Sequence, residues 1–339
     1  MKRNMYAWVA ETIAAPVKKP VPVLSVPAVQ LLGITVRQLV GDSDLQAKAL
    51  QAVAACTPGG ASVSFMDLSI EAEAFGANIR FSEDEVPTVV GSSVTDEAEA
   101  EALQVPEIGA GRTGLNIQAV AKATEVITDR PVFAGAIGPF SLAGRLLGVT
   151  DAMYLCYDEP DMVHTVLEKV TQFIIRYCKA YQEAGANGVV IAEPLAGVLS
   201  PALAEEFSAG YMKQIVSAVQ NEEFIVIYHN CGAGTVQQLD SILANGAKAF
   251  HFGNAIRMED VLPHIPGDVL VMGNVDPAAE FTSGTPESIR AATLGIMEKC
   301  CSYPNFVISS GCDIPPVASW DNIHAFYQAA SDFYAAKNA

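Results

Sequence analysis

Short apolar runs recur along the chain and predict eight buried strands. They are rich in Val, Ile and Phe, and this near-continuous hydrophobicity is typical of strands covered on both faces of a parallel sheet. The runs are VPVLSV (21–26), ASVSFM (61–66), PVFAGA (131–136), GVVIAE (188–193), FIVIYH (224–229), KAFHFG (248–253), VLVMGN (269–274) and FVISSG (306–311).

The segments between these runs carry the spacing of amphipathic helices. Residues 161–185, DMVHTVLEKVTQFIIRYCKAYQEAG, have apolar positions at i, i+3, i+4 and i+7 and end at Gly185. Residues 285–300 begin with Thr285 and Pro286, which suit an N-cap and a first helical position. Residues 234–246 are of the same kind. We therefore predict strands that alternate with helices.

Eight such units favour an α/β fold, a (β/α)8 TIM barrel, over an open doubly wound sheet. No GxGxxG fingerprint follows any of the eight apolar runs, and no P-loop is present. Residues 1–339 are predicted to form a single barrel domain with an N-terminal extension, because α/β barrels reach this length. Residues 67–130 are rich in acidic residues, Gly and Pro, and are predicted to form an insertion or lid over the C-terminal mouth of the barrel.

Composition and charge exclude several classes of partner. Half of the residues are hydrophobic and 17% are charged, which indicates a large buried core. The formal charge of −18, with 20 basic against 38 acidic residues, argues against nucleic acid and anionic membranes as partners. Glu11 interrupts the apolar stretch near the N-terminus, so we expect no signal peptide and a cytoplasmic protein. We also expect the protein to be a monomer or a homodimer.

Function in such a barrel collects where the strands end. His229 and Cys231 are two positions apart at the end of the fifth run, so both side chains project to one side. Cys312 follows the eighth run, which lies across the barrel mouth from the fifth. Imidazole and thiolate are preferred zinc donors, and a catalytic site keeps one position open. We predict that these three residues bind Zn²⁺; the competing interpretation is that they are buried for packing alone.

Several motifs resemble, in order and spacing, the uroporphyrinogen decarboxylase superfamily, and within it the cobalamin-dependent methylcobamide:coenzyme M methyltransferases. The motifs are IAEPLAGVLSP, YHNCGAG, MGNVDP and SSGCDIPPVASWDNIHAF. The decarboxylases carry an arginine-rich segment after the first strand, where this chain has only Arg37, and a Gly-His pattern where it has Gly311 and Cys312. HxC followed by GC is the pattern of the zinc methyltransferases, which implies that His229, Cys231 and Cys312 match their zinc ligands.

The resemblance implies an activity as well as a ligand set. It implies methyl transfer between a methylated corrinoid, carried by a partner corrinoid protein, and a zinc-activated small-molecule acceptor, a thiol such as coenzyme M. Transfer in the opposite direction and a non-thiol acceptor stay open. The alternatives are a uroporphyrinogen decarboxylase-like activity and a non-catalytic zinc or corrinoid-protein scaffold. The scaffold is disfavoured because structural zinc sites are closed by four protein ligands.

Further candidate residues follow from the same positions. Glu193 precedes Pro where the similar methyltransferases carry an acidic residue, and is predicted either to be catalytic, as proton acceptor or fourth zinc ligand, or to bond to backbone behind the ligands. Arg112, in GAGRTG, is a candidate partner for an acceptor sulfonate. Asn254 and Asn274 are candidates for substrate contacts or for shaping loops. His251 is predicted to be a satisfied core histidine.

Overall fold

The computed structural model describes residues 2–337, in which strands and helices alternate. The strands are β1 (Ser62–Val63), β2 (Asn78–Arg80), β3 (Thr88–Val90), β4 (Val132–Ile137), β5 (Gly188–Ala192), β6 (Ile225–Asn230), β7 (Ala249–Phe252), β8 (Leu270–Val275) and β9 (Phe306–Ser310). The helices are α1 (Met5–Ala14), α2 (Ala28–Leu32), α3 (Val36–Val40), α4 (Ser43–Cys56), α5 (Ile70–Ala74), α6 (Glu97–Ala102), α7 (Thr113–Val126), α8 (Pro139–Leu147), α9 (Val149–Asp158), α10 (Pro160–Glu183), α11 (Pro201–Ala204), α12 (Gly210–Val219), α13 (Leu239–Leu243), α14 (Pro286–Cys300) and α15 (Trp320–Lys337). Within residues 2–337, every helix is too short or too polar to cross a membrane.

Seven strands form one parallel sheet in the order β1-β4-β5-β6-β7-β8-β9. β2 and β3 pair antiparallel as a separate hairpin. Parallel neighbours need crossover connections, and helices supply them on the outside of the sheet: α10 packs on β4 and β5, and α14 on β8 and β9. The predicted α/β fold is confirmed, and the architecture is TIM-barrel-like.

The first predicted strand, residues 21–26, is not a regular strand. The Val21 N–H donates to the Ile308 carbonyl at 3.2 Å, and the Val23 N–H donates to the Ser310 hydroxyl at 3.0 Å, so this segment lies along β9. Its opposite edge carries Pro20 and Pro22, which have no N–H to donate toward β1. The Gly60 N–H to Pro20 carbonyl bond of 2.8 Å joins the segment to the chain just before β1. The expectation of eight regular strands is therefore wrong at this segment.

The N-terminal extension closes the end of the sheet where the strands begin. Met5 and Val9 of α1 belong to the apolar cluster that fills the inside of the curved sheet. Trp8 packs edge-on against Phe133 of β4, with ring centroids 5.6 Å apart. A second, larger apolar cluster lies between the sheet and the outer helices. The strand ends are thus left as the open side of the fold.

The alternation of side chains along β6 aims the candidate ligands inward. Ile225 and Ile227 belong to the apolar cluster inside the sheet. Successive residues of a strand point to opposite faces, so His229 and then Cys231 continue on the same inner side. The inner row of side chains along β6 is therefore apolar at Ile225 and Ile227 and carries the candidate ligands at its end.

Two predicted helices are confirmed close to their expected ends. α10 ends at Glu183, and Gly185 follows with a φ of +92°, a left-handed conformation that favours glycine at a helix end. α14 begins at Pro286, and the Thr285 hydroxyl accepts the Ser288 N–H as its N-cap. The helix expected over 234–246 is shorter and spans Leu239–Leu243.

Residues 67–130, which the sequence pattern predicts to form one insertion or lid, contain two kinds of structure. The hairpin of β2 and β3 stands outside the main sheet. α7, in contrast, packs on α4 and β4 and belongs to the outer helix layer. Asp67, in the loop between β1 and α5, is buried.

Candidate metal centre

The structure brings three predicted ligands together at the ends of β6 and β9. The ligand atoms of His229, Cys231 and Cys312 all lie within 4.8 Å of one another. The His229 Nε2 and Cys312 Sγ atoms are 3.5 Å apart. Cys231 follows β6 directly, and its neighbour Gly253 permits this approach, since a Cβ there would lie 2.5 Å from the Cys231 Cβ.

The spacing of these atoms fits a zinc ion. On a tetrahedral zinc, with Zn–S of about 2.3 Å and Zn–N of about 2.0–2.1 Å, a ligand sulfur and nitrogen lie about 3.5 Å apart. The distance between Cys312 Sγ and His229 Nε2 is 3.5 Å. Two thiols and an imidazole are also the soft donors that favour zinc over magnesium or calcium. These three residues would hold the ion and leave the fourth position of a tetrahedron without a protein ligand.

A second histidine fixes the orientation of His229. The two Nδ1 atoms of His229 and His251 are 2.7 Å apart, and the His229 Nδ1 also lies 3.1 Å from the His251 carbonyl oxygen. The His251 Nε2 lies 2.8 Å from the Ser309 hydroxyl oxygen. That hydroxyl donates to the Val21 carbonyl at 2.7 Å, so it accepts from the His251 Nε2–H.

The protons of the histidine pair follow from this network. If His251 carries its proton on Nε2, its Nδ1 is an acceptor, and the His229 Nδ1–H donates to it. The Nε2 of His229 is then unprotonated and faces Cys312, as metal binding requires. Burial and then the neighbouring His229 hold the pKa of His251 well below its usual value, which keeps this ring neutral. His251 is therefore a buried, hydrogen-bonded histidine, as expected, but its partner is a candidate ligand.

The two cysteine thiols share one hydrogen bond. The bond from the Cys231 thiol, followed by the nearby His229, lowers the pKa of Cys312 despite its burial. The same bond, together with burial, raises the pKa of Cys231. Without a metal, Cys312 is therefore the sulfur that ionises first, and a cation placed between both sulfurs would favour loss of the second proton as well.

Glu193 lies close to the N-terminus of α8 and outside the group of three ligand atoms. One carboxylate oxygen accepts the Phe140 N–H at 2.8 Å and the Ser141 N–H at 3.4 Å, and the other accepts the Ser141 hydroxyl at 3.3 Å. Gly138 makes room for it, because a Cβ there would collide with the Glu193 side chain. Burial raises the pKa of Glu193 to about 8. This geometry favours a carboxyl group bonded to backbone over a fourth ligand.

The predicted substrate residues are engaged elsewhere. Arg112 is buried, and its guanidinium pairs with Asp67, with Glu73 at 2.6 Å and with the Ser69 hydroxyl at 2.9 Å. Asn254 donates to Asp276 at 2.7 Å.

Asn274 shapes a loop in the same way. Its amide donates to the Gly253 and Ile256 carbonyl oxygens, both at 2.9 Å. Asn254 and Asn274 thus hold the loops that follow β7 and β8. Neither they nor Arg112 are among the residues that line the cavity at the ligand group.

A cavity of about 100 Å³ opens beside the ligand group. Besides the three candidate ligands, its lining comprises Val23, Met66, Leu68, Val190, Ala192, Pro194 and Asp313. The sequence pattern alone does not predict this apolar wall, because the wall combines residues from the first, second and fourth apolar runs and the loops after them. Asp313, next to Cys312, is the polar exception. Its Oδ1 is buried without a hydrogen-bond partner among residues 2–337, and burial, followed by Cys312 and Asp67, raises its pKa well above the usual value.

Soft metal donors at the strand ends of a TIM-barrel-like fold are typical of a barrel metal site, and the chain as a whole is similar to known proteins. The family model for uroporphyrinogen decarboxylase (URO-D) matches residues 20–333. The methylcobamide:CoM methyltransferase MtbA of Methanosarcina mazei is 27% identical over 272 residues, 79% of this chain and 78% of that protein. The uroporphyrinogen decarboxylase of Hydrogenovibrio crunogenus is 28% identical over 286 residues, 81% of this chain and 79% of the relative.

The chain belongs to the uroporphyrinogen decarboxylase family, as its motifs predicted. A solved structure of a methyltransferase from Methanosarcina mazei has the same fold, with a TM-score of 0.85 at 23% identity over 98% of both chains. Relatives named as methyltransferase and as decarboxylase lie at similar identities. Family membership alone therefore does not distinguish a methyltransferase from a decarboxylase, and the residues of the site must do so.

Proposed function

We propose that this protein is a zinc-dependent methyltransferase that moves a methyl group between the corrinoid of a partner protein and a thiol acceptor. The observation that carries the proposal is the group of His229, Cys231 and Cys312, whose ligand atoms lie within 4.8 Å of one another beside a cavity. The similarity to a methylcobamide:CoM methyltransferase over 79% of the chain supports the same assignment.

The chain's own residues would hold the ion and prepare the acceptor. Two thiolates and a neutral imidazole would neutralise the charge of a divalent cation, and His251 would keep that imidazole in the required tautomer. When bound, zinc would supply the Lewis acidity that keeps an acceptor thiol deprotonated near neutral pH. The apolar wall would exclude water from the reacting sulfur. Glu193 would hold the start of α8 and its own neighbour Pro194, which lines the cavity.

The cavity lining argues against porphyrinogen decarboxylation. A substrate with several carboxylates needs cationic partners, preferably arginines. No Lys or Arg is among the residues lining the cavity within the described part of the chain. Arg37, the arginine that follows the first apolar run, is more than half exposed and lies 3.8 Å from Glu83. The methyltransferase assignment therefore agrees better with the charges at the site.

The proposal is tested by adding methylcobalamin and a panel of small thiols to the zinc-loaded protein and following the loss of the methyl–cobalt absorbance. We expect turnover with at least one thiol. His229→Ala, Cys231→Ala and Cys312→Ala should each lose zinc and lose activity by more than the roughly 100-fold that follows loss of a ligand's hydrogen-bond partner.

The matched control is Cys56→Ala, which removes an exposed thiol and should keep both zinc and turnover. The ligand variants should keep the circular dichroism of the folded barrel, because the apolar clusters are formed by other residues. Zinc-loaded protein that transfers no methyl group in either direction, or that releases carbon dioxide from uroporphyrinogen, would refute the proposal.

A further inference from the structure

A second cavity lies at the end of the sheet where the strands begin, opposite the candidate metal centre. Its volume is about 280 Å³, and it lies between α1, residues 15–21 and the loops that precede β1 and β4. Most of its lining residues come before residue 20, where the match to the family model begins. The cavity is therefore built largely by the N-terminal extension of this chain.

The cavity collects positive charge in a chain that is acidic overall. Its lining residues include four cations, Arg3, Lys18, Lys19 and Arg130, against two carboxylates, Glu11 and Asp129. The chain as a whole has 20 basic against 38 acidic residues. Clefts lined mainly by one sign of charge focus the field and attract ions of the opposite sign. A local excess of cations in such an acidic protein therefore indicates a site for an anion.

Three of the four cations have no carboxylate partner. Arg130 pairs with Asp129 at 2.8 Å, and its side chain is only 11% exposed. Within residues 2–337, Arg3 and Lys18 donate hydrogen bonds to backbone carbonyl oxygens and form no ion pair, and Lys19 forms neither. Burial lowers the pKa of Lys18, as expected for an ammonium group with no anion beside it. The positive charge of the cavity is thus left for a ligand to compensate.

The rest of the wall is apolar or formed by backbone. It includes the side chains of Trp8, Val17, Val21 and Pro131 and the backbone of Gly59 and Gly60. With about 280 Å³, the cavity is close to the roughly 300 Å³ at which pockets begin to enclose small-molecule ligands. Uncompensated cations beside an apolar wall suit a ligand that has an anionic head and a small apolar body.

We propose that this cavity binds a small organic phosphate, with the phosphate group at Arg3, Lys18 and Lys19 and the apolar body against Trp8. A phosphate monoester carries about −1.5 to −2 charges near neutral pH and offers several acceptor oxygens, so it can engage more than one cation. Guanidinium and ammonium groups are common partners of phosphate in proteins. The inference does not depend on the proposed function, because the cavity shares no lining residue with the cavity at the metal centre.

Two ligands of the same shape and different charge test the inference by binding alone. Phenyl phosphate is the probe, and phenyl sulfate, which carries a single negative charge, is the comparison. Isothermal titration calorimetry of each ligand into the zinc-loaded full chain, at low salt and about pH 7.5, gives the two dissociation constants. We expect phenyl phosphate to bind roughly tenfold more tightly than phenyl sulfate, or better, because it can compensate a second cation.

Single substitutions then locate the bound phosphate. Arg3→Gln and Lys19→Gln should each weaken phenyl phosphate by roughly fivefold or more, because each removes a charged donor. Lys19 makes no side-chain hydrogen bond within residues 2–337, so its variant should fold like the wild type. Lys213→Gln is the matched control, since Lys213 is exposed on α12 and does not line the cavity. Cys312→Ala, which removes a candidate metal ligand at the other end of the sheet, should also keep the wild-type affinity.

Several results would overturn the inference. They are a failure of phenyl phosphate to bind, equal affinity for phenyl sulfate, and unchanged affinity in both Arg3→Gln and Lys19→Gln. Loss of affinity in Cys312→Ala would place the anion at the metal centre and would overturn the inference as well. None of these results bears on methyl transfer, so the proposed function is tested separately.

Discussion

His229 and His251 meet through their Nδ1 atoms, 2.7 Å apart, and this contact decides which nitrogen of His229 carries the proton. The two residues are partners in the register of β6 and β7, so the parallel sheet itself sets their separation. Ser309 on β9 completes the chain of bonds at 2.8 Å. Three strands thus contribute to the orientation of one imidazole.

We expect His251→Leu to weaken zinc binding by roughly 10–100-fold, because His229 would lose the acceptor for its Nδ1–H. His251→Asn, which can place an oxygen near the position of the lost nitrogen, should recover part of that loss. Competition with a chromophoric chelator measures the affinity. His264→Ala removes an exposed histidine in a short 3-10 helix and is the control. Wild-type zinc affinity in His251→Leu would contradict this role.

The sequence contained a signal for the histidine pair but none for the arginine. His251 follows the inward-facing Ala249 by two positions, just as His229 follows Ile227. Because side chains two positions apart on a strand share a face, the sequence predicts that both histidines point inward. Arg112, predicted as a sulfonate partner, instead pairs with Asp67 and Glu73, 45 and 39 residues away in sequence. Such distant pairing depends on how the loops fold, which residue spacing does not reveal.

At the scale of elements, the short helix α5 places a carboxyl group against the end of β4. Glu71 is 2% exposed, and one oxygen accepts the Ile137 N–H at 3.0 Å while the other has no partner among the described residues. Burial, opposed by that backbone bond, raises the pKa of Glu71 from its ordinary 4.5 to about 8. The protonated acid is therefore the form that the fold favours.

The raised pKa of Glu71 makes stability depend on pH. Between about pH 4.5 and 8 the folded protein keeps a proton that the unfolded chain has released, so this contribution to the free energy of unfolding falls as pH rises through that window. We expect Glu71→Gln, which cannot ionise, to lose less stability between about pH 5 and 8.5, by up to a few kcal/mol. Denaturant unfolding at both pH values measures the difference.

Glu97→Gln, which changes an exposed carboxylate on α6, serves as the control and should keep the pH dependence of the wild type. Equal loss of stability in Glu71→Gln and in the wild type would show that Glu71 is ionised in the folded protein, against this account.

At the scale of the whole molecule, hydrophobic runs predicted the sheet well because its strands are buried on both faces. Each of the runs at 131–136, 188–193, 224–229, 248–253, 269–274 and 306–311 coincides within one residue with a strand of the parallel sheet or contains it. The strand predicted at 21–26 was wrong because hydrophobicity does not show which residues can donate a backbone hydrogen bond. Pro20 and Pro22 have no backbone N–H, so one edge of this segment cannot donate to a neighbouring strand. The wall of the cavity was equally hidden, since it forms only when distant strand ends come together.

The most direct test of the account is X-ray absorption at the zinc edge of the purified, zinc-loaded protein, recorded with and without the thiol that accepts the methyl group. We expect two sulfurs at about 2.3 Å and one imidazole nitrogen at about 2.0–2.1 Å in the free protein. A third sulfur should appear on addition of the thiol. A protein that binds no zinc, or a zinc ion whose ligands do not change when the thiol is added, would contradict the central claim.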